Sequence, residues 1–392
     1  MRGFRLSFAE DIFVPWAAAS ISNNPSADLV QSNSLSIGGR QAPLCVAIVA
    51  LIAVNALWGL SFPIMKSLNE IVDHFFDLQH QRPTMLFLVV TSSWLIGLRF
   101  VFATLLLMIF CWRLVLRASY AEWKAGLWIG LFFYIGLVAQ VMGLATIPAS
   151  RSGFLTSLTA VFTPLIATFL LRRPPNRYVV AGIVTALMGV AVLTGLVVID
   201  ARGVRIPSDA LATWQVGDSL TTLGALFFTM QILLLDQFSR RMNSIMFTPG
   251  MFVGVVFLAF FTLVVLMVFF GVESTPGKSV TFVQLADLAR LPMVWGILLF
   301  LGGFCSLVSF RWMNKYQPSV TVVQASILYS LEPVFASSWA LVLPGIIGSF
   351  SGFDHRNEFI TTNLLLGGAL ILLANTISIC SPRPDESVSG SE

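Results

Sequence analysis

The chain has 392 residues, of which 56% are hydrophobic and only 11% charged, and its formal net charge is +4. An ordinary soluble domain carries roughly 25% charged residues, and a mean hydropathy of +0.85 leaves too little polar side chain to cover a water-facing surface. The composition therefore excludes a typical soluble domain. The basic residues lie mostly between apolar runs, where they act as topology signals rather than as a nucleic-acid surface, so no nucleic-acid partner is expected.

Residues 1–42 differ from the rest: Glu10 and Asp11 interrupt their one apolar stretch, and a Ser-, Asn- and Gly-rich run follows. This is not a clean signal peptide and reads as a loosely ordered leader. Apolar runs of about 20 residues, enough to cross a hydrocarbon core of roughly 30 Å, then predict ten spans: 44–66, 91–112, 125–146, 152–171, 178–199, 217–237, 246–270, 293–313, 319–343 and 361–381. Backbone groups in lipid must bond within the segment, so each run becomes a helix. The alternation over about ten residues that a membrane β-barrel requires is absent. Segment 67–90 is the longest expected external loop, with 344–360 also long, and short turns at Pro148 and at Gln317-Pro318 separate spans three from four and eight from nine. A polar tail covers 383–392.

Lys and Arg gather on alternate loops, including Arg113, Arg117, Lys124, Arg177, Arg241, Arg311 and Lys315. That asymmetry places both termini in the cytoplasm and requires an even number of spans. A shift of roughly 170 residues brings the two halves of the chain into register. Leu155-Thr156-Ser157-Leu158-Thr159-Ala160-Val161-Phe162 falls against Leu328-Tyr329-Ser330-Leu331-Glu332-Pro333-Val334-Phe335. Five spans per half is odd, so residues 43–200 and 201–382 form two five-helix repeats of inverted topology. The expected fold is an all-α membrane protein of ten transmembrane helices, and such inverted pairs commonly build secondary transporters.

These residues resemble the EamA type of the drug/metabolite transporter superfamily. Trp58-Gly59-Leu60-Ser61-Phe62, Leu98-Arg99-Phe100, Phe154 to Phe162 and Leu331 to Phe335 match that family's motifs in order and on the matching spans. Ala160 stands where the family often has proline, and the two long outer loops exceed the compact family pattern. The resemblance implies a proton-coupled or facilitative carrier of small organic solutes, often an exporter of amino acids or other metabolites. Its setting would be a bacterial inner membrane, with the bilayer and a second copy of the chain among its partners.

Glu332 is the sharpest single residue. An ionised side chain near the middle of a span costs on the order of 2.5–3.5 kcal/mol by insertion scales, which makes Glu332 a candidate for proton coupling or for binding a substrate amine. The alternative is an acid bonded to backbone groups freed by Pro333. Arg99 is a candidate charge partner, for an anionic group or for Glu332, with snorkelling to the interface as the competing role. Lys66 is expected to snorkel. Candidate cavity residues are Asn55, Trp58, Ser61, Gln140, Thr156, Gln231, Gln324, Tyr329 and Glu332, with Ser157, Ser326 and Ser330 beside them; interhelical hydrogen bonding is the bland reading of the set. Gly126/Gly130 and Gly250/Gly254 are small-xxx-small pairs assigned to helix packing.

No catalytic residue, metal site or cofactor is expected. The chain lacks a phosphate-binding G-x-x-x-x-G-K-[ST] loop and a His-Glu-x-x-His pair. His74 and His80 with Asp73 and Asp77 are read as a solvated loop, and Cys45, Cys111, Cys305 and Cys380 as small hydrophobes within spans. Transport rather than enzyme activity is the expected function. The rivals are a sugar-phosphate or nucleotide-sugar carrier, which would need several deep cations, a lipid scramblase, a membrane-embedded enzyme and a non-transporting scaffold.

Overall fold

A computed structural model describes residues 43–78, 81–170, 177–200, 203–208, 210–239, 241–320, 328–351 and 356–379. The leader 1–42, the tail 383–392, Gln324, Ser326, His80 and Cys380 lie outside the described residues. The described residues are mostly helical, at 82%. Among the described residues, six helices are long and apolar enough to cross a membrane, or seven if a bent pair is counted as one span; two shorter apolar helices accompany them.

The first three long helices are α1 (Leu44–Phe75), α2 (Met85–Arg117) and α3 (Tyr120–Thr146). Their starts follow local chemistry. The Thr84 hydroxyl accepts from Phe87 N–H at the head of α2, and Ser119 with Glu122 forms a capping box at the head of α3, satisfying donors that a helix N-terminus otherwise leaves open. The expected loop at 67–90 is therefore largely helix. Polar residues such as Glu70, Asp73 and His74 continue α1 past its apolar run, and the connection between α1 and α2 shrinks to 76–84. Apolar length set the sequence expectation, whereas helix hydrogen bonding does not stop where hydrophobicity does.

The fourth predicted span is two helices, α4 (Ala149–Thr156) and α5 (Thr159–Leu170), broken at Ser157-Leu158. Then come α6 (Arg177–Leu193), an antiparallel hairpin of β1 (Val198–Asp200) and β2 (Gly203–Arg205), and α7 (Val216–Ser239). Helix α8 (Phe247–Val265) continues as a π-helical turn through Leu266–Phe270. A second hairpin, β3 (Glu273–Thr275) with β4 (Lys278–Ser279), and the short α9 (Phe282–Ala289) lead into the next span. That span runs from α10 (Pro292–Phe300) through a π-helical stretch at Leu301–Val308 into α11 (Ser309–Tyr316). Among the described residues, two small hairpins depart from the expected all-helical chain; both lie in connections, where the apolar periodicity used for the spans is silent.

The ninth predicted span is also interrupted. A turn at Ser330-Leu331 precedes α12 (Glu332–Ala340), and α13 (Leu343–Ser351) follows with a bend of 46°. Residues 321–327 of that span lie outside the described ones. Pro333 accounts for the restart: it has no N–H to give to the preceding turn, while its fixed φ suits the first turn of a helix. Most of 344–360, expected as loop, is therefore α13 and a strap at 356–361, before α14 (Thr362–Ile379).

Helix α3 packs on α7 and α8, α2 on α8, α6 on α14, and α12 on both α1 and α4. One large apolar core joins most of these helices, and a smaller one, built around Phe154, Leu155, Ala186, Leu193 and Ile371, joins α4 to α6 and α14. The two glycine pairs meet across the α3–α8 contact. A Cβ on Gly130 would lie 2.8 Å from the Met251 carbonyl oxygen, and one on Gly250 would lie 2.6 Å from that of Trp123. Gly130→Ala is expected to cost about 1–3 kcal/mol through overpacking, read as a lower unfolding temperature in detergent. Gly296→Ala, where a Cβ meets nothing within 4 Å, should unfold no earlier than the parent; equal losses at both positions would refute the packing account.

Candidate functional site

The two interruptions fall at matched positions of the two related segments: Ser157-Leu158 and Ser330-Leu331 form the turns, and Thr159 and Glu332 each open the helix that follows. The first break needs no proline at position 160. The Ser157 hydroxyl donates to the Phe154 carbonyl oxygen at 2.8 Å, and Ala160 N–H donates to Ser157 O at 3.1 Å, tightening the chain to i→i−3 bonding. The second break closes in the same way, with Leu331 N–H donating to Leu328 O at 3.0 Å.

Close-fitting glycines hold the start of α12. A Cβ on Gly59 of α1 would lie 2.7 Å from Ala336 N and 2.9 Å from the Glu332 carbonyl oxygen, and one on Gly153 of α4 would lie 2.9 Å from the Ala336 Cβ. Glu332 is thus half-buried at the head of a helix rather than in the middle of one, a correction to its expected place. First-turn N–H groups lack intrahelical partners, so an acid there sits in the least hostile part of an apolar helix. Among the described residues, its carboxylate makes no hydrogen bond or ion pair.

Three of the candidate residues are drawn into one polar network. Trp58 Nε1–H donates to Ser309 Oγ at 2.9 Å, and Ser309 Oγ–H donates to the Cys305 carbonyl oxygen at 2.7 Å. The same carbonyl accepts from Arg99 Nη2–H at 3.4 Å, while Arg99 Nε–H donates to Ser306 Oγ at 2.9 Å. Tyr329 stacks at a tilt beside Trp58, with ring centroids 5.9 Å apart, and its hydroxyl donates to Gln317 Oε1 at 2.8 Å. Arg99 is 6% exposed. It neither snorkels nor meets Glu332: α2 begins six residues earlier than predicted, so Arg99 lies about 21 Å along it at 1.5 Å per residue, too deep to reach the interface.

A second network surrounds the first break. Gln140 Nε2–H donates to Thr156 Oγ1 at 2.9 Å, and Asn375 Nδ2–H of α14 donates to Ser157 Oγ at 3.3 Å. Buried Asn55 turns back on its own helix, donating to Leu51 O at 2.7 Å. Gln231 is buried on α7 and Ser61 half-buried on α1; among the described residues, neither shares a hydrogen bond with the two networks. Gln324 lies outside the described residues. Cys111 Sγ accepts from Arg311 Nη1–H at 3.1 Å, and Cys305 acts through its backbone carbonyl rather than its thiol.

Sequence reasoning missed a clamp at one end of the bundle. The Glu358 carboxylate, from the strap before α14, accepts from Ala149 N–H and Ser150 N–H at the head of α4, and Ser150 Oγ–H donates to it as well. Glu358 N–H donates to the Ala340 carbonyl oxygen at 3.0 Å, so the strap also holds the end of α12. Beside it, Arg151 forms a two-pronged ion pair with fully buried Asp218 at the head of α7, its Nε–H to Oδ1 distance being 2.6 Å. A cleft of about 210 Å³ lies against this clamp, lined by Lys66, Glu70, Pro148, Arg356 and Glu358 among others. Lys66 therefore faces the cleft instead of snorkelling. The available signal was a lone Asp at the start of an apolar run opposite a lone Arg at the start of another.

Removing one partner of a buried pair leaves an uncompensated charge and costs about 3–5 kcal/mol. Asp218→Ala should therefore unfold much earlier than the parent, with Arg151→Ala/Asp218→Ala recovering part of the loss in a double-mutant cycle. Additive losses would show that the two side chains do not interact.

Residues 84–195 match the EamA-like transporter family. The chain is 24% identical over 333 residues to a protein of Archaeoglobus fulgidus described as an uncharacterized transporter, covering 85% of this chain and 84% of that one. A solved structure titled "Crystal structure of protein" is 17% identical, covers 85% of this chain and 96% of its own, and superposes with a TM-score of 0.43; so loose a likeness does not bear on the fold.

Proposed function

We propose, from the premise that this chain is an EamA-type member of the drug/metabolite transporter superfamily and a multi-pass membrane transporter, that it is a secondary carrier of small organic metabolites such as amino acids. It works by alternating access between two inverted five-helix repeats, 43–200 and 201–382. The observation that carries this reading is the pair of matched helix interruptions, with Glu332 opening the second half-helix. Carriers of this architecture bind solute where spans are discontinuous, because half-helix ends and unpaired polar groups are available there.

The helix contacts support the repeat. Exchanging each span of one half for its counterpart in the other turns the α3–α7 contact into the α11–α1 contact and the α12–α1 contact into that of α4 and α5 with α7. The α2–α8, α6–α14 and α4–α12 contacts map onto themselves. The clamp of Glu358 and Arg151–Asp218 supports a closed gate at one end, the one expected outside the cell from the distribution of loop charge. Gate and break share α4, so opening one moves the other.

A carrier of phosphorylated sugars has weaker support, since the network at the second break holds a single cation, Arg99. In proteoliposomes, Glu332→Gln should abolish the dependence of metabolite flux on an imposed proton gradient while the protein still elutes as a folded species. Proton dependence that survives the substitution would remove Glu332 from the mechanism. Movement of labelled lipid without any solute gradient would favour a scramblase instead.

A further inference from the structure

We infer that Arg99 is the carboxylate-binding group of the solute path, and that the solutes this chain carries bear a free carboxylate. The inference rests on the carrier reading above and narrows it.

A guanidinium deep in a spanning helix is expensive unless something compensates its charge. Here the described partners of Arg99 are all neutral: the Ser306 hydroxyl at 2.9 Å, the Cys305 carbonyl at a long 3.4 Å and the face of the Phe100 ring, 5.7 Å from the guanidinium carbon. Of the five N–H groups of a guanidinium, the hydrogen bonds occupy two. The remaining three include both hydrogens of Nη1 and one of Nη2, the adjacent pair that forms an end-on fork to a carboxylate. A purely structural tie between helices would be served by a serine or an asparagine, without the desolvation cost of a charge.

The surroundings fit a ligand group better than a permanent anchor. Arg99 faces Leu301–Val308, where the helix widens to π-type bonding, an irregularity that frequently marks functional sites. A Cβ on Gly302 there would lie 2.6 Å from the Arg99 carbonyl oxygen, so the two backbones are already in contact and a bulkier residue would force them apart. Through Cys305 O and Ser309, Arg99 connects to Trp58, whose neighbour Gly59 abuts the Glu332 carbonyl. A cation and an acid that have no ion-pair partner among the described residues thus both connect to one aromatic pair, Trp58 and Tyr329, the cation through Cys305 and Ser309 and the acid through Gly59. One positive group with three free donors suits a planar monoanion; a phosphate, carrying nearly two charges, would call for more cations than the site holds.

The test uses the full chain in nanodiscs with three probes of one carbon skeleton: L-leucine, 4-methylpentanoate and isoamylamine. The parent is expected to bind the two carboxylates at least about tenfold more tightly than the amine. Arg99→Gln should weaken both carboxylates by about tenfold or more and leave the amine unchanged. Because Arg99→Gln also removes a tie between helices, Arg99→Lys and Ser306→Ala serve beside it. Lys keeps the charge but loses the fork, and Ser306→Ala loosens the guanidinium; each should change carboxylate affinity several-fold without changing the amine's. Parent affinities that do not favour the carboxylates, or variants that alter all three probes equally, overturn the assignment. Failure of the parent to move any of a broad metabolite panel in proteoliposomes would instead overturn the carrier reading.

Discussion

The rest of the structure depends on one constraint: inside hydrocarbon every backbone N–H and C=O must find a partner within the protein. A long helix without internal proline or kink, such as α3, meets it alone. The two interrupted spans do not, and the molecule is organised around satisfying them. Tight i→i−3 bonds and the Ser157 hydroxyl take up groups released at the first break, and Asn375 in turn donates to that hydroxyl. Around the second, Gly59 and Gly153 let the neighbouring helices approach close enough to exclude lipid from the exposed turn.

Charge is distributed by the same logic. Arg151 and Asp218 neutralise each other where α4 and α7 begin, and Glu358 is neutralised by the open amides of a helix head. Arg99 and Glu332 have no such compensation among the described residues. They sit on either side of Trp58, in the part of the molecule where the backbone is also irregular. Compensated charges at the rim and uncompensated ones at the breaks are what a passage for polar solutes requires, since a solute must supply the missing partner.

Much of this was legible in the sequence. Apolar run length located the six helices that, among the described residues, are long enough to cross a membrane, and the likeness of Leu155–Phe162 to Leu328–Phe335 marked the two segments that turn out to be interrupted. Pro333 marks a gap in the hydrogen bonding of the ninth predicted span, and the structure restarts the helix beside it, at Glu332. The break at Ser157 left no comparable mark: Ala160 is a good helix former, and the turn is made by a hydroxyl whose bond to Phe154 only the folded backbone reveals. The polar stretch after Lys66 looked like loop because hydropathy, rather than hydrogen bonding, drew the boundary. Partners far apart in the chain, such as Glu358 with Ala149 or Arg99 with Ser306, were invisible for a simpler reason. Nothing local encodes them, and the short polar residues that receive the bonds are ordinary within apolar helices.

The glycine seam between α3 and α8 has a mechanical side. Where backbones touch directly, no side-chain layer remains to be sheared, so the two helices can neither slide nor roll past each other without separating. They join the first half of the chain to the second along a line of direct backbone contact. In a carrier whose halves rock, that line is the fulcrum, and the displacement falls on the helices with joints in them. The smallest residues in the protein would then set its axis of motion.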